Sequence, residues 1–189
     1  MKAMALVFVL VLLAVGQAWA ADPNLAVGEV KIEQAPAEVV LYTIYRGPYE
    51  RMGQAIGSLF MVAGQKQIQP QGPVTMVYLN CPKEVTPEHY LTEVRVPVGE
   101  EALQHAGQLG EMTDIKRLPA VEVMVVEKPV GVADPSPIYQ YLMVWTARHG
   151  YLVAGGPRET MLGMGGPDYA SMHTRIALPV VTLDQLQGD

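Results

Sequence analysis

The sequence predicts an α+β fold in which one strand–helix–strand–strand (βαββ) unit is used twice. Segments of strand and helix character follow one another in this order in both halves of the chain. Short motifs also recur at matching places: Gly72-Pro73 corresponds to Gly156-Pro157, and Thr92–Val98 corresponds to Thr174–Val180. Two units related by a pseudo-twofold axis are the simplest account of this repeat.

The first repeat, residues 39–99, contains three strand-like segments and one helix-like segment. The strand-like segments are rich in β-branched and aromatic residues, and the last of them alternates valine with other residues. The helix-like segment has apolar residues at helical spacing, although three glycines weaken it. The predicted elements are strands at Val39–Tyr45, Val74–Leu79 and Leu91–Val98 and a helix at Tyr49–Gln65.

The second repeat, residues 120–182, shows the same order of patterns. Its predicted elements are strands at Val121–Glu127, Arg158–Leu162 and Thr174–Val180 and a helix at Ile138–His149. Each helix would cover the apolar face of its own sheet, and the opposite face would stay uncovered. The uncovered faces of the two units would then meet in a groove. We expect Gly99–Leu118 to be the connector, with a short helix around Glu100–Leu109.

The N-terminus has the pattern of a signal peptide at residues 1–20. Met1-Lys2 is a short basic start, Ala3–Val15 is an apolar core, and Ala18-Trp19-Ala20 is a small-residue cleavage pattern. The alternative is an uncleaved anchor helix. We expect a periplasmic or secreted protein that has no membrane association after cleavage. Residues 21–37 would be a lead-in with one strand near Val27–Ile32.

Charge and composition argue against several classes of function. The net charge is −6 and the basic residues are scattered, so a nucleic-acid partner is not expected. The chain has a single cysteine, Cys81, which rules out an internal disulfide framework. The four histidines show no metal-ligand spacing, so we predict no metal and no cofactor.

Glu159 is the leading candidate for both binding and catalysis. The two-residue period of a strand places Glu159 and Met161 on one face and Thr160 and Leu162 on the other. If Thr160 and Leu162 face the helix, Glu159 faces the groove. A carboxylate between apolar walls attracts a cation, and burial raises its pKa toward the range useful for acid–base work. The alternative is an exposed or ion-paired glutamate near a turn.

Several other side chains are candidate ligand contacts. Tyr45 and Tyr78 could stack on planar ligands or hold cations, although tyrosine is also a common surface residue of strands. Trp145 would either line the groove or pack in the core. Glu93 and Arg175 hold equivalent positions in the two closing strands and point to the uncovered face, where they could pair with each other or with a ligand.

The chain resembles the GyrI-like domain, also called the AraC-type effector-binding domain, from about Val39 to Val181. The resemblance implies a concave antiparallel sheet flanked by helices, with residues 38–189 as the domain and a central cleft for small organic ligands, often cationic and aromatic. Where the family often has tyrosine two residues after the cleft glutamate, this chain has Met161. The matching motifs are Tyr45–Glu50, Gly72-Pro73, Val77–Leu79, Thr92–Val98, Trp145–Tyr151, Gly156–Glu159 and the closing strand to Val180.

These observations predict an exported, stand-alone protein that binds small, largely apolar molecules, cations among them, in an aromatic cleft with Glu159 as the anionic anchor. Met161 would add an adaptable apolar wall. One alternative is a hydrolase of strained or electrophilic molecules that uses Glu159, a chemistry that the resemblance to stand-alone family members implies. Another is a protein-interaction module with no ligand, which a cleft filled by its own side chains would favour.

Overall fold

The computed structural model describes residues 28–164 and 168–187. The expected signal peptide at residues 1–20 and the first part of the lead-in lie outside this range. Within the described residues, no helix is both long and apolar enough to cross a membrane.

The described residues form nine strands and three α-helices. The strands are β1 Lys31–Ala35, β2 Glu38–Arg46, β3 Thr75–Tyr78, β4 Leu91–Val98, β5 Thr113–Leu118, β6 Val121–Lys128, β7 Tyr151–Val153, β8 Arg158–Met164 and β9 Met172–Thr182. The helices are α1 Met52–Gln65, α2 Ser136–Arg148 and α3 Leu183–Gln187. Short 3₁₀ turns lie at Tyr49–Arg51, Pro87–His89, Glu100–His105 and Tyr169–Ser171.

The strands form one curled antiparallel sheet in the order β1-β6-β9-β8-β3-β4-β2-β5, and β7 pairs with β9 outside this path. The units β2–α1–β3–β4 and β6–α2–β8–β9 are joined through the central β3·β8 pair. The predicted α+β fold with a tandem βαββ repeat is therefore confirmed.

The register of the central strands locates the pseudo-twofold axis. Met76 of β3 lies directly opposite Glu159 of β8. Met76 also pairs with Val94 of β4, and Glu159 pairs with Ile176 of β9, which are equivalent positions in the two closing strands. The axis therefore passes between Met76 and Glu159, and the two residues are symmetry mates.

Both main helices cover the same face of the sheet. Leu59 of α1 packs in a first core that includes Met76 and Val94. Leu142 of α2 packs in a second core that includes Ile176. Since residues paired directly across antiparallel strands share a face, Met76, Glu159 and Ile176 all lie on this helix-covered face.

Three elements differ from the sequence prediction. The predicted connector Gly99–Leu118 contains the edge strand β5, which pairs with β2 and whose charged side chains hide the strand pattern. The strand expected near Val27–Ile32 is β1, which begins at Lys31 and pairs with β6. The short β7 was not predicted.

Candidate functional site

Glu159 lies at the centre of the sheet and is 1% exposed. Its two carboxylate oxygens accept hydrogen bonds from two tyrosines. The Tyr139 hydroxyl of α2 donates to Oε1 at 2.6 Å, and the Tyr169 hydroxyl donates to Oε2 at 2.8 Å. Tyr169 lies in the 3₁₀ turn just before β9. The second helix and the entry to the last strand thus hold the carboxylate in one orientation.

Tyr78 and Lys128 complete the surroundings of this carboxylate. The hydroxyl of Tyr78 is a further influence that lowers the pKa of Glu159. Lys128 is fully buried, and its Nζ lies 4.6 Å from the centre of the Tyr169 ring. The same Nζ donates to the carbonyl oxygens of Tyr169 at 3.2 Å and Val132 at 3.4 Å. A buried cation therefore stands behind one of the tyrosines that hold Glu159.

The pKa values of these groups are set mainly by burial. Burial raises the pKa of Glu159, and the tyrosine hydrogen bonds and the charge of Lys128 offset part of that rise. Burial and then the charge of Glu159 raise the pKa of Tyr139, Tyr78 and Tyr169, so all three phenols keep their protons as donors. Burial lowers the pKa of Lys128, against the opposing charges of Glu159 and Asp168. Perturbed groups in mutual contact are typical of functional sites.

An aromatic shelf, defined as Tyr49, Tyr78 and Tyr90, extends from the neighbourhood of Glu159 to the surface. The Tyr49 ring stacks on Tyr90 at 4.7 Å between centroids and meets Tyr78 edge-to-face at 5.4 Å. Tyr49 is 36% exposed, so the shelf reaches the surface. Burial, followed by the charges of Tyr90 and Glu159, raises the pKa of Tyr49 to about 12. The shelf offers neutral aromatic faces next to a buried carboxylate.

Tyr45, Met161 and Trp145 also lie on the helix-covered face. Tyr45 packs against the first core and donates its hydroxyl to the carbonyl of Pro48 at 3.0 Å. Met161 packs against the same core. Trp145 packs against the second core and stacks on His149 at 3.8 Å. Of the two roles predicted for Trp145, its contacts match core packing.

Glu93 and Arg175 lie on the opposite face of the sheet, away from Glu159. Glu93 forms ion pairs with Lys116 at 2.6 Å and Arg95 at 3.5 Å, and Arg175 forms an ion pair with Glu33. They point to the uncovered face as predicted, but they neither pair with each other nor share a groove with Glu159. The single predicted ligand site is therefore divided between two faces.

The orientation expected for β8 was wrong. Thr160 does not face a helix, because it pairs with Thr75 and with Arg175 on the uncovered face. Glu159 consequently faces the helices, between the two cores. A register shift between Met161 and Gly163 ends the simple alternation before Leu162.

Sequence reasoning missed Tyr139, Tyr169 and Lys128. Tyr139 lies three residues before Leu142, and this helical spacing could have placed it on the buried face of α2. Tyr169 lies in a turn that has no periodic pattern. Lys128 follows directly after a predicted strand, so the pattern indicated only where that strand ends. A cavity of about 410 Å³ is lined by Lys128 and His173, and one of about 260 Å³ lies next to His105; Glu159 lines neither of them. The described residues contain no group of three metal-ligating side chains.

Residues 28–181 match the sequence profile of the GyrI-like small molecule binding domain. The chain belongs to this family. The match covers both repeats and every side chain that surrounds Glu159, so the predicted family resemblance is confirmed at this level. No curated protein matches the sequence.

Solved structures share the fold of this GyrI-like domain. The C-terminal domain of EcmrR is 19% identical over 84% of this chain and 100% of that chain, with a TM-score of 0.64. EcmrR in a complex with DNA is 17% identical over 82% of this chain, with a TM-score of 0.68, and the GyrI-like domain spans only 58% of that longer chain. A hydrolase from Listeria innocua is 13% identical over 83% of this chain and 94% of that chain, with a TM-score of 0.60.

Proposed function

We propose that this GyrI-like domain binds small, largely apolar organic cations, with Glu159 as the counter-ion and the aromatic shelf as the stacking surface. The observation that carries the proposal is the buried Glu159 carboxylate, held by the hydroxyls of Tyr139 and Tyr169 beside the rings of Tyr78 and Tyr49. Aromatic faces attract organic cations, and a desolvated carboxylate strengthens that attraction.

The chemistry of the site favours a cation over an anion or a neutral polar molecule. A buried carboxylate costs free energy unless it is hydrogen-bonded or paired with a positive charge. The tyrosines provide hydrogen bonds, but the only buried cation near the carboxylate among the described residues, Lys128, lies behind the Tyr169 ring. An incoming organic cation would supply a closer opposite charge.

Tyr139 and Tyr169 occupy the space at Glu159, which is the arrangement expected of an interaction module with a filled cleft. In the binding proposal these side chains move aside and the ligand replaces their contacts. The test must therefore be able to show that the protein binds none of the small molecules tried.

The test compares two planar molecules that differ mainly in charge, 10-methylacridinium and acridine, at a pH where acridine is neutral. Glu159→Gln keeps the size of the side chain and removes its charge. We expect it to weaken 10-methylacridinium binding by roughly tenfold or more, since a hydrogen-bonded ionic contact is lost, and to leave acridine binding almost unchanged. Fluorescence titration measures the dissociation constants of both molecules. Glu111→Gln, an exposed glutamate, is the matched control.

If wild type binds neither molecule, or if Glu159→Gln weakens both equally, the cation proposal is wrong. Binding of neither molecule by a well-folded sample would favour the protein-interaction alternative.

We propose hydrolysis of strained electrophiles as the second candidate function. It requires a second polar group beside Glu159, and Tyr139 and Tyr169 are protonated donors at 2.6 and 2.8 Å from its oxygens. Incubation with a small epoxide, followed by chromatography of the diol, tests it. Turnover that is lost in both Glu159→Gln and Tyr139→Phe would support catalysis, and turnover that survives in Glu159→Gln would contradict it.

We also propose that the protein is exported, on the basis of the N-terminal pattern at residues 1–20. Expression of the full chain in a Gram-negative host, followed by N-terminal sequencing of the periplasmic fraction, should give a protein that begins at Ala21. Unprocessed chain confined to the cytoplasm would contradict this.

A further inference from the structure

The uncovered face of the sheet carries buried charges that the cation site does not use. Glu93 and Arg95 of β4 are both buried there, and Arg158 of β8 lies on the same face. Glu93 is already engaged by Lys116 at 2.6 Å and by Arg95 at 3.5 Å. One buried carboxylate thus serves two cations, and Arg158 adds a third positive charge nearby.

Both guanidinium groups have unpartnered nitrogen atoms. Arg95 is 6% exposed, and its Nε has no hydrogen-bond partner. The Nε of Arg158 is likewise buried and without a partner. Unsatisfied buried donors of a charged group are costly, and native structures usually explain them by a bound water or ion. Two such donors on one face indicate a missing acceptor.

Among the described residues, the nearby carboxylates do not supply the missing acceptor for Arg158. Burial lowers the pKa of Arg158, the charge of Arg95 lowers it further, and Glu38 and Glu93 oppose these effects. Among the described residues, neither Glu38 nor Glu93 forms an ion pair with Arg158. The two arginines therefore feel each other's charge, and no carboxylate in the described part of the chain forms ion pairs with both.

Neutral donors lie next to the two arginines on this face. Thr75 pairs directly with Arg95 across β3 and β4, and Thr160 pairs directly with Thr75 across β3 and β8. The hydroxyl oxygens of Thr75 and Thr160 are 2.9 Å apart, so one hydroxyl donates to the other. The accepting hydroxyl keeps its own hydrogen for a further acceptor. Arg158 lies two residues before Thr160 on the same strand and the same face.

We propose that this face binds a small oxyanion, the carboxylate or phosphate group of a small molecule, between Arg95 and Arg158 with the Thr75–Thr160 pair as a neutral donor. The planar fork of a guanidinium fits both groups and binds them through paired hydrogen bonds. The site is independent of the proposed cation site, because the two lie on opposite faces of β8. Failure of one proposal leaves the other standing.

The test is NMR of the arginine Nε–Hε groups in the ¹⁵N-labelled full chain. Sodium phosphate, sodium sulfate and sodium acetate are titrated separately against sodium chloride at constant ionic strength. We expect saturable shifts of the Arg95 and Arg158 signals, while that of Arg117, which is already paired with Glu100, stays unchanged. Saturation by acetate indicates a carboxylate ligand, and saturation only by phosphate and sulfate indicates a phosphate-type ligand.

Arg158→Gln is the decisive variant, because Arg95 is too deeply buried to be replaced safely. We expect it to weaken anion binding by about tenfold, which is the scale of one charge-assisted hydrogen-bond pair. Arg117→Gln, at an exposed arginine of β5 that is paired with Glu100, is the control and should bind as wild type does. Shifts that never saturate, or equal affinity in wild type and Arg158→Gln, would overturn the proposal.

Discussion

Glu159 and Lys128 show how single residues make a symmetric framework asymmetric. Glu159 is the symmetry mate of Met76. Lys128 pairs with Thr174 as Tyr45 pairs with Thr92, so Lys128 and Tyr45 are equivalent as well. The first repeat has methionine and tyrosine where the second has a carboxylate and an ammonium group. A bound cation would therefore place its charge in the second repeat and its rings toward the tyrosines of the first.

The raised pKa of Glu159 predicts a pH dependence of both binding and stability. Cation affinity should rise with pH as Glu159 ionises above its ordinary value of 4.5, and Glu159→Gln should remove this dependence. For folding the sign is opposite: a carboxyl with a raised folded-state pKa contributes stability below its unfolded pKa and loses it as pH rises through the folded pKa. Denaturant unfolding of wild type and Glu159→Gln from acid to neutral pH measures this contribution. If the unfolding free energy of the two proteins changes with pH in the same way, the raised pKa of Glu159 is contradicted.

Lys128→Met should strengthen cation binding, because it removes a positive charge from behind Tyr169 while keeping a similar volume. We expect roughly three- to tenfold higher affinity for 10-methylacridinium at neutral pH. Loss of Lys128 should also raise the pKa of Glu159 further, so the pH dependence should move upward. Fluorescence titration over pH measures both effects. Lys66→Met on the surface is the control, and equal affinity in all three proteins would argue against the role of Lys128.

Among the elements, α1 shows how a helix rich in glycine is held by one buried face. Met52, Ala55, Leu59 and Ala63 recur at helical spacing and are all buried against β2 and β4. A Cβ atom added at Gly53, Gly57 or Gly64 would meet nothing within 4 Å, so these glycines have no close packing role. The apolar stripe of α1 therefore compensates for their low helix propensity.

Leu59→Ala should destabilise the protein far more than Phe60→Ala. Leu59 is 1% exposed in the first core, and truncation of such a side chain costs about 2–5 kcal/mol of unfolding free energy. Phe60 is the adjacent residue and is 40% exposed, so its truncation should cost less than about 1 kcal/mol. Urea unfolding followed by circular dichroism compares them. Similar losses for the two variants would contradict the orientation of α1.

For the whole molecule, the repeat could be predicted because strand patterns and Gly-Pro turns recur at the same places in both halves. The alternation in β8 also showed that Thr160 and Glu159 lie on different faces. It could not show which face the helices cover, since that depends on the pairing of Glu159 with Met76 and Ile176. Tyr169 and β5 were missed because a turn and a charged edge strand lack the periodic signal of buried elements.

Gly156→Ala tests the join between the two halves. A Cβ atom at Gly156 would lie 2.5 Å from the carbonyl oxygen of Tyr78, and the Tyr78 amide donates to the carbonyl of Pro157 at 3.0 Å. Alanine should force β3 and β8 apart at this point, at a cost of roughly 1–3 kcal/mol. It should also weaken 10-methylacridinium binding by moving Tyr78. Gly155→Ala is the control, because its nearest contact is a proline ring atom at 3.3 Å. Denaturation should show a clear loss of stability for Gly156→Ala, and titration should show a clear loss of affinity. Both measurements should show little change for Gly155→Ala.

The 1% exposure of Glu159 also has a kinetic consequence. In the binding proposal, a ligand reaches the carboxylate only after Tyr139 or Tyr169 releases it, so opening of the protein precedes capture. In rapid-mixing experiments the observed association rate should level off as ligand concentration rises, instead of increasing without limit. The plateau should be the same for different ligands, because it measures how often the tyrosines release Glu159. The protein, rather than diffusion of the ligand, would then set the pace of recognition.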